Sequence, residues 1–165
     1  MDPRRFWRHV AMSPAQERRA FPGATLDAVQ RAIAELEKSH RGQVMLVVER
    51  ELTAGELWHE LDARDRARQV FAQQGVWNTE ENNGVLIYLL LADRRVEIVA
   101  DRGIDARVPA AEWQVICRMM EDHFRAGRFQ EGALAGVGAV SDLLARHFPG
   151  SAAGRNELPD RPVLI

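Results

Sequence analysis

Apolar residues form two short continuous runs in the middle of the chain, at residues 43–48 and 85–91. Runs of this length that are rich in valine, leucine and isoleucine are typical of strands buried on both faces of a sheet. Asp93 and Arg94 predict a tight turn into a third strand over residues 96–99, which must run antiparallel to the second because the turn is so short. A helical pattern separates the first two strands and predicts a parallel crossover between them. The pattern therefore predicts an α/β fold with a small mixed sheet.

Helices are predicted on either side of these strands. Ser13 begins a capping box, and so does Thr53, because each is followed three residues later by Gln or Glu. The first box predicts a short helix ending near residue 22, and the second predicts one continuous helix that ends at Gly75. The other predicted helices are recognised by apolar residues three or four positions apart, over residues 25–40, 109–124 and 133–148.

The chain divides by pattern into an N-terminal helical segment over residues 1–22, an α/β domain over residues 23–148 and an irregular tail over residues 149–165. Glycine, serine, asparagine and three prolines make the tail irregular. Its last residues, Val163, Leu164 and Ile165, are apolar enough to dock on the body of the domain.

Composition narrows the class of protein. The 165 residues are 46% hydrophobic and 28% charged, which excludes disordered, collagen-like and coiled-coil chains. The net charge of -2 argues against a partner that is a nucleic acid or an anionic membrane. No apolar run approaches the roughly 18 to 20 residues that span a bilayer, and no signal-peptide pattern follows the N-terminal arginines. We therefore expect a cytoplasmic protein. The single cysteine, Cys117, cannot form an intrachain disulfide and is expected to be a small buried apolar residue.

Polar residues converge at one end of the predicted hairpin. If the chain turns at residues 93–94, the strand entry at residues 82–84 lies beside the strand exit at residues 101–103. Carboxylates and amide carbonyls near a glycine are the oxygen ligands that a hard divalent cation prefers. The expected ligands are Asp101, Glu81, Asn83, Asn82 and Asn78. The loop has no calcium-loop signature, however, and Asp and Asn are also ordinary turn formers.

Other combinations of residues fit known sites less well. His59 and Glu60 begin a zinc-protease pattern, but Ala63 stands where the second histidine is required. Ser141, Asp142 and His147 lie on one predicted helix without a nucleophile elbow. The glycines of that same helix, at positions 132 and 136, do not form a phosphate loop and are expected to let it pack close to the sheet. Tryptophan at position 77 either lines a pocket or, as we favour, packs in the core.

From residue 41 to residue 148 the chain resembles the TPM domain, a family that includes thylakoid-lumen and photosystem II repair proteins and many bacterial membrane-anchored proteins. The resemblance is carried, in the family's order, by HRGQV at residues 40–44, VWNTEENNGVLI at 76–87, DRRVEIVADRGI at 93–104 and FRAGRFQEG at 124–132.

The resemblance implies a single-domain α/β/α sandwich with Rossmann-like layering. Relatives are described as calcium or magnesium binders, as weak acid phosphatases, or as assembly and repair factors. The family-type site would fall on Asn83, Glu81 and Asp101. This sequence departs from the family pattern because Asn78 and Asn83 stand where aspartate is expected and Asp101-Arg102-Gly103 replaces a Gly-x-Gly. It also shows no signal peptide or membrane anchor, so it resembles a short soluble bacterial member.

Two functions from different classes remain open. The first is a non-catalytic binding or assembly module with a weak site for Ca²⁺ or Mg²⁺. The alternative is a metal-dependent acid phosphatase acting on phosphomonoesters, in which the cation activates water and Arg102 contacts the phosphate. The expected partner is an unknown protein, for which a membrane-anchored TPM relative is one candidate, docked through the basic N-terminal segment; those arginines equally fit a solvated helix face.

Overall fold

A sheet of four strands, in the order β3-β2-β1-β4, forms the centre of the molecule. The structure is a computed structural model that describes residues 2–150 and 156–165. Strand β1 pairs in parallel with β2 and β4, and β2 pairs with β3 in an antiparallel hairpin. The strand bounds are Gln43–Glu49 for β1, Gly84–Leu90 for β2, Arg95–Ala100 for β3 and Val163–Leu164 for β4. The predicted mixed sheet is confirmed.

Eight α-helices surround the sheet within the described residues: α1 Pro3–Val10, α2 Pro14–Ala20, α3 Gly23–Leu36, α4 Ala54–Trp58, α5 Ala63–Gln73, α6 Arg102–Asp105, α7 Ala110–Arg125 and α8 Phe129–His147. Both predicted capping boxes are formed, by Ser13 with Gln16 and by Thr53 with Glu56. The described helices include none with the length and apolar character needed to cross a bilayer.

The single helix predicted from Thr53 to Gly75 is wrong, because the chain forms two helices there. Glu60 adopts a left-handed conformation (φ 56°) between α4 and α5, which interrupts the helical hydrogen bonds. Asp62 then caps the second helix by accepting a hydrogen bond from the Asp65 N–H at 2.7 Å. Gly75 follows α5 with φ 68°, as its predicted role at the helix end requires.

Each face of the sheet is covered by helices with a core of its own. On one face of β2, Val85, Ile87 and Leu89 share a core with α3, α7 and α8. On the other face, Leu86, Tyr88 and Leu90 share the second core with α4, α5 and Leu158 of the C-terminal segment. Because successive side chains of a strand point to opposite faces, one continuous apolar run fills both cores. The predicted α/β/α sandwich is confirmed.

Two packing predictions are wrong. Helix α8 uses its glycines to approach α7 rather than the sheet: a Cβ atom added at Gly136 would lie 2.2 Å from Met120 Sδ. Close helix approach at glycine is a general feature, but the sequence does not reveal which neighbour is approached. Trp77 is 54% exposed and is not a core residue. Its indole N–H donates to the Ala72 carbonyl at 3.2 Å, which holds the ring over the end of α5.

Both terminal segments attach at the carboxyl end of β1. The buried His9 of α1 accepts a hydrogen bond from the Leu52 N–H at its Nδ1, over 2.9 Å. Ile165 donates its N–H to the Val48 carbonyl at 2.9 Å and accepts from the Arg50 N–H at 3.0 Å. The predicted docking of residues 163–165 is confirmed, and it takes the form of strand β4. The boundaries proposed after residues 22 and 148 stay a prediction.

Candidate functional site

The two segments predicted to meet at the hairpin end do meet. Asp101 donates its N–H to the Gly84 carbonyl at 2.8 Å, and Gly103 donates to the Asn82 carbonyl at 3.1 Å. Both glycines are packed against backbone: a Cβ at Gly84 would lie 2.1 Å from the Val76 carbonyl oxygen, and one at Gly103 would lie 2.5 Å from that of Asn82. We call this contact, formed by residues 79–84 and 101–103, the loop junction.

Asn83 ties the loop junction to the start of β1. Its backbone N–H donates to Thr79 Oγ1 at 3.0 Å, and its carbonyl accepts from the Gln43 N–H at 3.0 Å. Its side-chain Nδ2 donates to the Arg41 carbonyl. With the amide nitrogen used in this way, Oδ1 is left buried without a hydrogen-bond partner among the described residues.

Asp101 supplies the buried carboxylate of the loop junction and is 9% exposed. It is the N-cap of α6, where Oδ1 accepts a hydrogen bond from the Arg102 N–H at 2.7 Å. Its second oxygen, Oδ2, is buried and has no hydrogen-bond partner in the described part of the chain. A buried acceptor that is left unpaired is destabilising, so this oxygen is available to a ligand.

The other expected ligands are placed less favourably. Glu81 forms an ion pair with Arg41, and about half of each side chain is exposed. Asn82 takes a left-handed conformation (φ 52°), and its Oδ1 accepts from Arg102 Nε at 3.1 Å. Asn78 is exposed, and its backbone N–H bonds to the Gly75 carbonyl. The structure therefore brings Glu81, Asn82 and Asn83 to the strand exit at residues 101–103 and leaves Asn78 outside.

The fit to a divalent cation is limited by charge. Among residues 2–150 and 156–165, no three His, Cys, Asp or Glu side chains form a metal-binding group. The free donors of the loop junction are Asp101 Oδ2 and Asn83 Oδ1, which carry one negative charge, and the guanidinium groups of Arg41 and Arg102 are bonded to the same loop. Ca²⁺ takes about 6 to 8 oxygen ligands, and these two residues would supply only two of them. A cation held here would therefore bind weakly.

Cys117 and His40 form no nucleophile–base pair in the described part of the chain, because neither ring nitrogen of His40 has a hydrogen-bond partner there. Burial raises the pKa of the Cys117 thiol to about 12, so the thiol stays protonated at neutral pH. This cysteine is partly buried, close to the expectation. Burial also lowers the pKa of His40, whose side chain is enclosed, so its imidazole is uncharged at neutral pH. Within the described ranges, the Ser and Thr hydroxyls that form hydrogen bonds do so with backbone, Gln or Glu groups and with no histidine.

Sequence reasoning missed the residues that support the loop junction from a distance. Gln43 accepts hydrogen bonds at Oε1 from the N–H groups of Glu157 and Leu158, at 2.9 and 3.3 Å. The Glu157 carboxylate in turn accepts from the Glu80 N–H at 3.1 Å. The C-terminal segment therefore holds the loop that carries Glu81 and Asn83. One signal pointed here: Gln43 is a polar residue at the start of an apolar strand.

Residues 16–143 match the sequence model of one protein family, the TPM domain. The chain belongs to the TPM domain family. The resemblance noted in the sequence is thereby confirmed over most of the chain. No curated protein matches this TPM domain.

Solved structures of similar fold come from several bacteria. This TPM domain superposes on the NMR structure of BA42 from the psychrophilic Bizionia argentinensis with a TM-score of 0.75 and 28% identity, covering 86% of this chain and 93% of that one. The N-terminal domain of a P. gingivalis protein gives a TM-score of 0.58 at 26% identity, covering 78% and 80%. The N-terminal domain of cg2496 from Corynebacterium glutamicum gives 0.55 at 14% identity, covering 84% and 79%, and supports the fold alone.

Proposed function

We propose that this TPM domain is a non-catalytic binding and assembly module, and that a divalent cation, Ca²⁺ or Mg²⁺, binds with low affinity at the loop junction. The observation that carries the cation proposal is the pair of buried oxygens, Asp101 Oδ2 and Asn83 Oδ1, that no described residue satisfies. A cation would compensate the desolvated carboxylate, which hydrogen bonding in the protein leaves half satisfied.

The cation would stabilise the arrangement of neighbouring elements rather than take part in a reaction. Asp101 caps α6, and Asn83 joins the starts of β1 and β2, so a ligand held by both would fix these elements relative to one another. Since Glu81 is already paired with Arg41, the cation would not depend on that carboxylate. Support for a non-catalytic role comes from the protonated Cys117 thiol and from His40, whose ring nitrogens have no hydrogen-bond partner among the described residues.

The test is the melting temperature of metal-stripped protein titrated with CaCl₂ and then MgCl₂. Asp101→Asn keeps the Oδ1 cap and removes the charge at Oδ2, and Asp105→Asn is the matched control because Asp105 is exposed on the same short helix. We expect a saturable rise for wild type and Asp105→Asn that is absent in Asp101→Asn. At a hundredfold excess over Kd, the gain in unfolding free energy is about 2.7 kcal/mol. No rise for wild type up to millimolar cation would overturn the cation site, and a rise retained in Asp101→Asn would move it elsewhere.

Phosphate release tests the non-catalytic part of the proposal independently. Arg102 bonds Asn82 through Nε and is otherwise exposed, so it is the group that would contact a phosphomonoester at the loop junction. We expect no turnover of para-nitrophenyl phosphate with either cation. Turnover by wild type that disappears in the Asp101→Ala, Arg102→Ala double variant would contradict the binding module and favour a metal-dependent phosphatase.

A further inference from the structure

A cavity of about 350 Å³ opens at the end of the sheet opposite the loop junction. It lies between α2, the residues that follow β2 and the turn that joins α7 to α8. Its apolar lining is formed by Met12, Ala20, Leu91 and Phe129. Ala20 and Leu91 belong to the buried core of the first face of the sheet, and Met12 and Phe129 pack against that core. The floor of the cavity is therefore continuous with the apolar core.

The charged groups of this cavity all have one sign. Arg19 and Arg94 line it, and the described lining residues include no aspartate or glutamate. This local excess is not explained by composition, because the whole chain has more acidic than basic residues, 24 against 22. Asp93 is the neighbour of Arg94 in the chain, but its carboxylate is bonded to Arg5 and Arg8.

The two guanidinium groups retain free donors. The side chain of Arg19 forms no hydrogen bond or ion pair with the described residues. Arg94 donates from Nη1 to the Arg125 carbonyl at 3.2 Å, which positions the side chain and leaves its other N–H groups uncommitted. Gln16 adds an exposed amide to the same lining. The rim thus offers planar N–H donors directly above an apolar floor.

Arg94 holds its position at a conformational cost. Its φ of 50° lies in the left-handed region, where a residue with a side chain is less stable than glycine. The hairpin turn would accept glycine here, so the arginine side chain is not required by the turn. An uncommon conformation of this kind is often found where a side chain serves a ligand.

We propose that this cavity binds a small organic carboxylate with an apolar chain. The carboxylate would accept charge-assisted hydrogen bonds from Arg19 and Arg94, because a guanidinium group matches the planar geometry of a carboxylate. The chain would lie on Leu91 and Phe129 and leave water. The cavity sits at the carboxyl end of the parallel strands, where ligands bind in open α/β sheets, and its volume falls within the range of small-molecule sites.

Calorimetric titration of the whole chain with octanoate tests the proposal. We expect one saturable site whose Kd rises at least about tenfold in Arg19→Gln and in Arg94→Gly, because each substitution removes a charge-assisted hydrogen bond. Arg94→Gly should fold normally, since glycine favours the left-handed conformation. The control is Arg18→Gln, which removes the same charge from the adjacent residue outside the cavity lining and should leave Kd unchanged.

Other outcomes contradict the proposal. Absence of saturable octanoate binding up to millimolar concentration removes the site. If 1-octanol binds as tightly as octanoate, the arginines do not recognise an anion. If acetate binds as tightly as octanoate, the apolar floor contributes nothing. An equal loss of affinity in Arg18→Gln would attribute binding to general charge rather than to the cavity.

Discussion

Two aspartates stand at opposite ends of strand β3, and the fold bonds their carboxylates differently. The side chain of Asp93, at the hairpin turn, is 7% exposed and accepts hydrogen bonds from Arg5 Nε at 2.8 Å and Arg8 Nη2 at 2.6 Å. His9 Nε2 faces the same carboxylate at 3.3 Å. Asp101, at the loop junction, is buried, and among the described residues only the Arg102 N–H bonds its side chain, at one oxygen.

The comparison shows that burial alone does not identify a ligand-binding carboxylate. Burial by itself would raise the pKa of Asp93, but the nearby His9 and the hydrogen bonds from Arg5 and Arg8 outweigh it and hold that pKa well below the usual range. Asp93 therefore fastens α1 to the hairpin turn and has no capacity for a ligand. Asp101 keeps one oxygen without a partner in the described residues, which is why the proposed cation is placed there.

The largest effect is expected from Gly84→Ala at the loop junction. The added Cβ would meet the Val76 carbonyl oxygen at 2.1 Å, and a backbone atom cannot move aside as a flexible side chain can. We expect a loss of about 3 kcal/mol or more in the free energy of unfolding, measured in urea. Gly138→Ala is the control: apart from its own helix backbone, nothing lies within 4 Å of its added Cβ, and in a helix the change should stabilise by about 0.5–1 kcal/mol.

Asp93→Asn should cost about 2–4 kcal/mol of unfolding free energy, because it leaves Arg5 and His9 without their charged partner. Asp101→Asn should cost less than about 1 kcal/mol in metal-free buffer, since its Oδ1 cap survives and Oδ2 has no partner to lose. Urea unfolding of both variants measures the difference. Equal losses would mean that the two aspartates are not distinguished by their bonding.

Acid should remove the stabilisation that Asp93 gives to the folded state. At neutral pH that stabilisation should be fully present. Its pKa in the folded state is below the unfolded value of about 3.9, so its stabilisation is fully present above that value and is lost as pH falls below about 4. The stability difference between wild type and Asp93→Asn should therefore shrink between about pH 5 and pH 2. A difference that stays constant over this range would show that the ion pairs do not contribute.

The smallest effect is expected at Glu37, near the start of β1, where Oε1 accepts the Val44 N–H at 2.7 Å. Burial raises the pKa of Glu37 from 4.5 to about 7 although that hydrogen bond lowers it. The folded state then holds a proton that the unfolded state releases, so the stability of wild type falls as pH rises from about 4.5 to 7. Glu37→Gln keeps the acceptor and should be more stable than wild type at pH 8, with no advantage at pH 4, as measured by urea unfolding at both pH values.

Local sequence signals predicted the parts of the fold that depend on neighbouring residues. The turn at Asp93 and Arg94 placed residues 82–84 beside residues 101–103, and hydrogen bonds between Gly84 and Asp101 confirm that placement. Capping boxes at Ser13 and Thr53 located two helix starts for the same reason, since both partners of each box lie within four residues.

Contacts between segments that are distant in the chain could not be predicted from local sequence signals. Nothing around Glu81 indicates that Arg41 takes its carboxylate, and nothing around Val163 indicates that it pairs with Val47. The break between α4 and α5 was also missed, because the left-handed Glu60 has no glycine or proline to mark it. The loop junction was predicted in position, whereas the bonding state of its carboxylates depends on tertiary partners that only the structure supplies.

The contact between Gly136 and Met120 has a consequence for oxidative damage. Met120 is fully enclosed, and its Sδ lies where a glycine hydrogen is the largest group that fits. Conversion to the sulfoxide adds an oxygen and a dipole to that sulfur, inside the closely packed interface between α7 and α8. The folded chain shields this sulfur from peroxide, whereas a newly made chain oxidised before α7 and α8 meet could not close them. The effect of an oxidant would therefore depend on whether it reaches Met120 before or after α7 packs against α8.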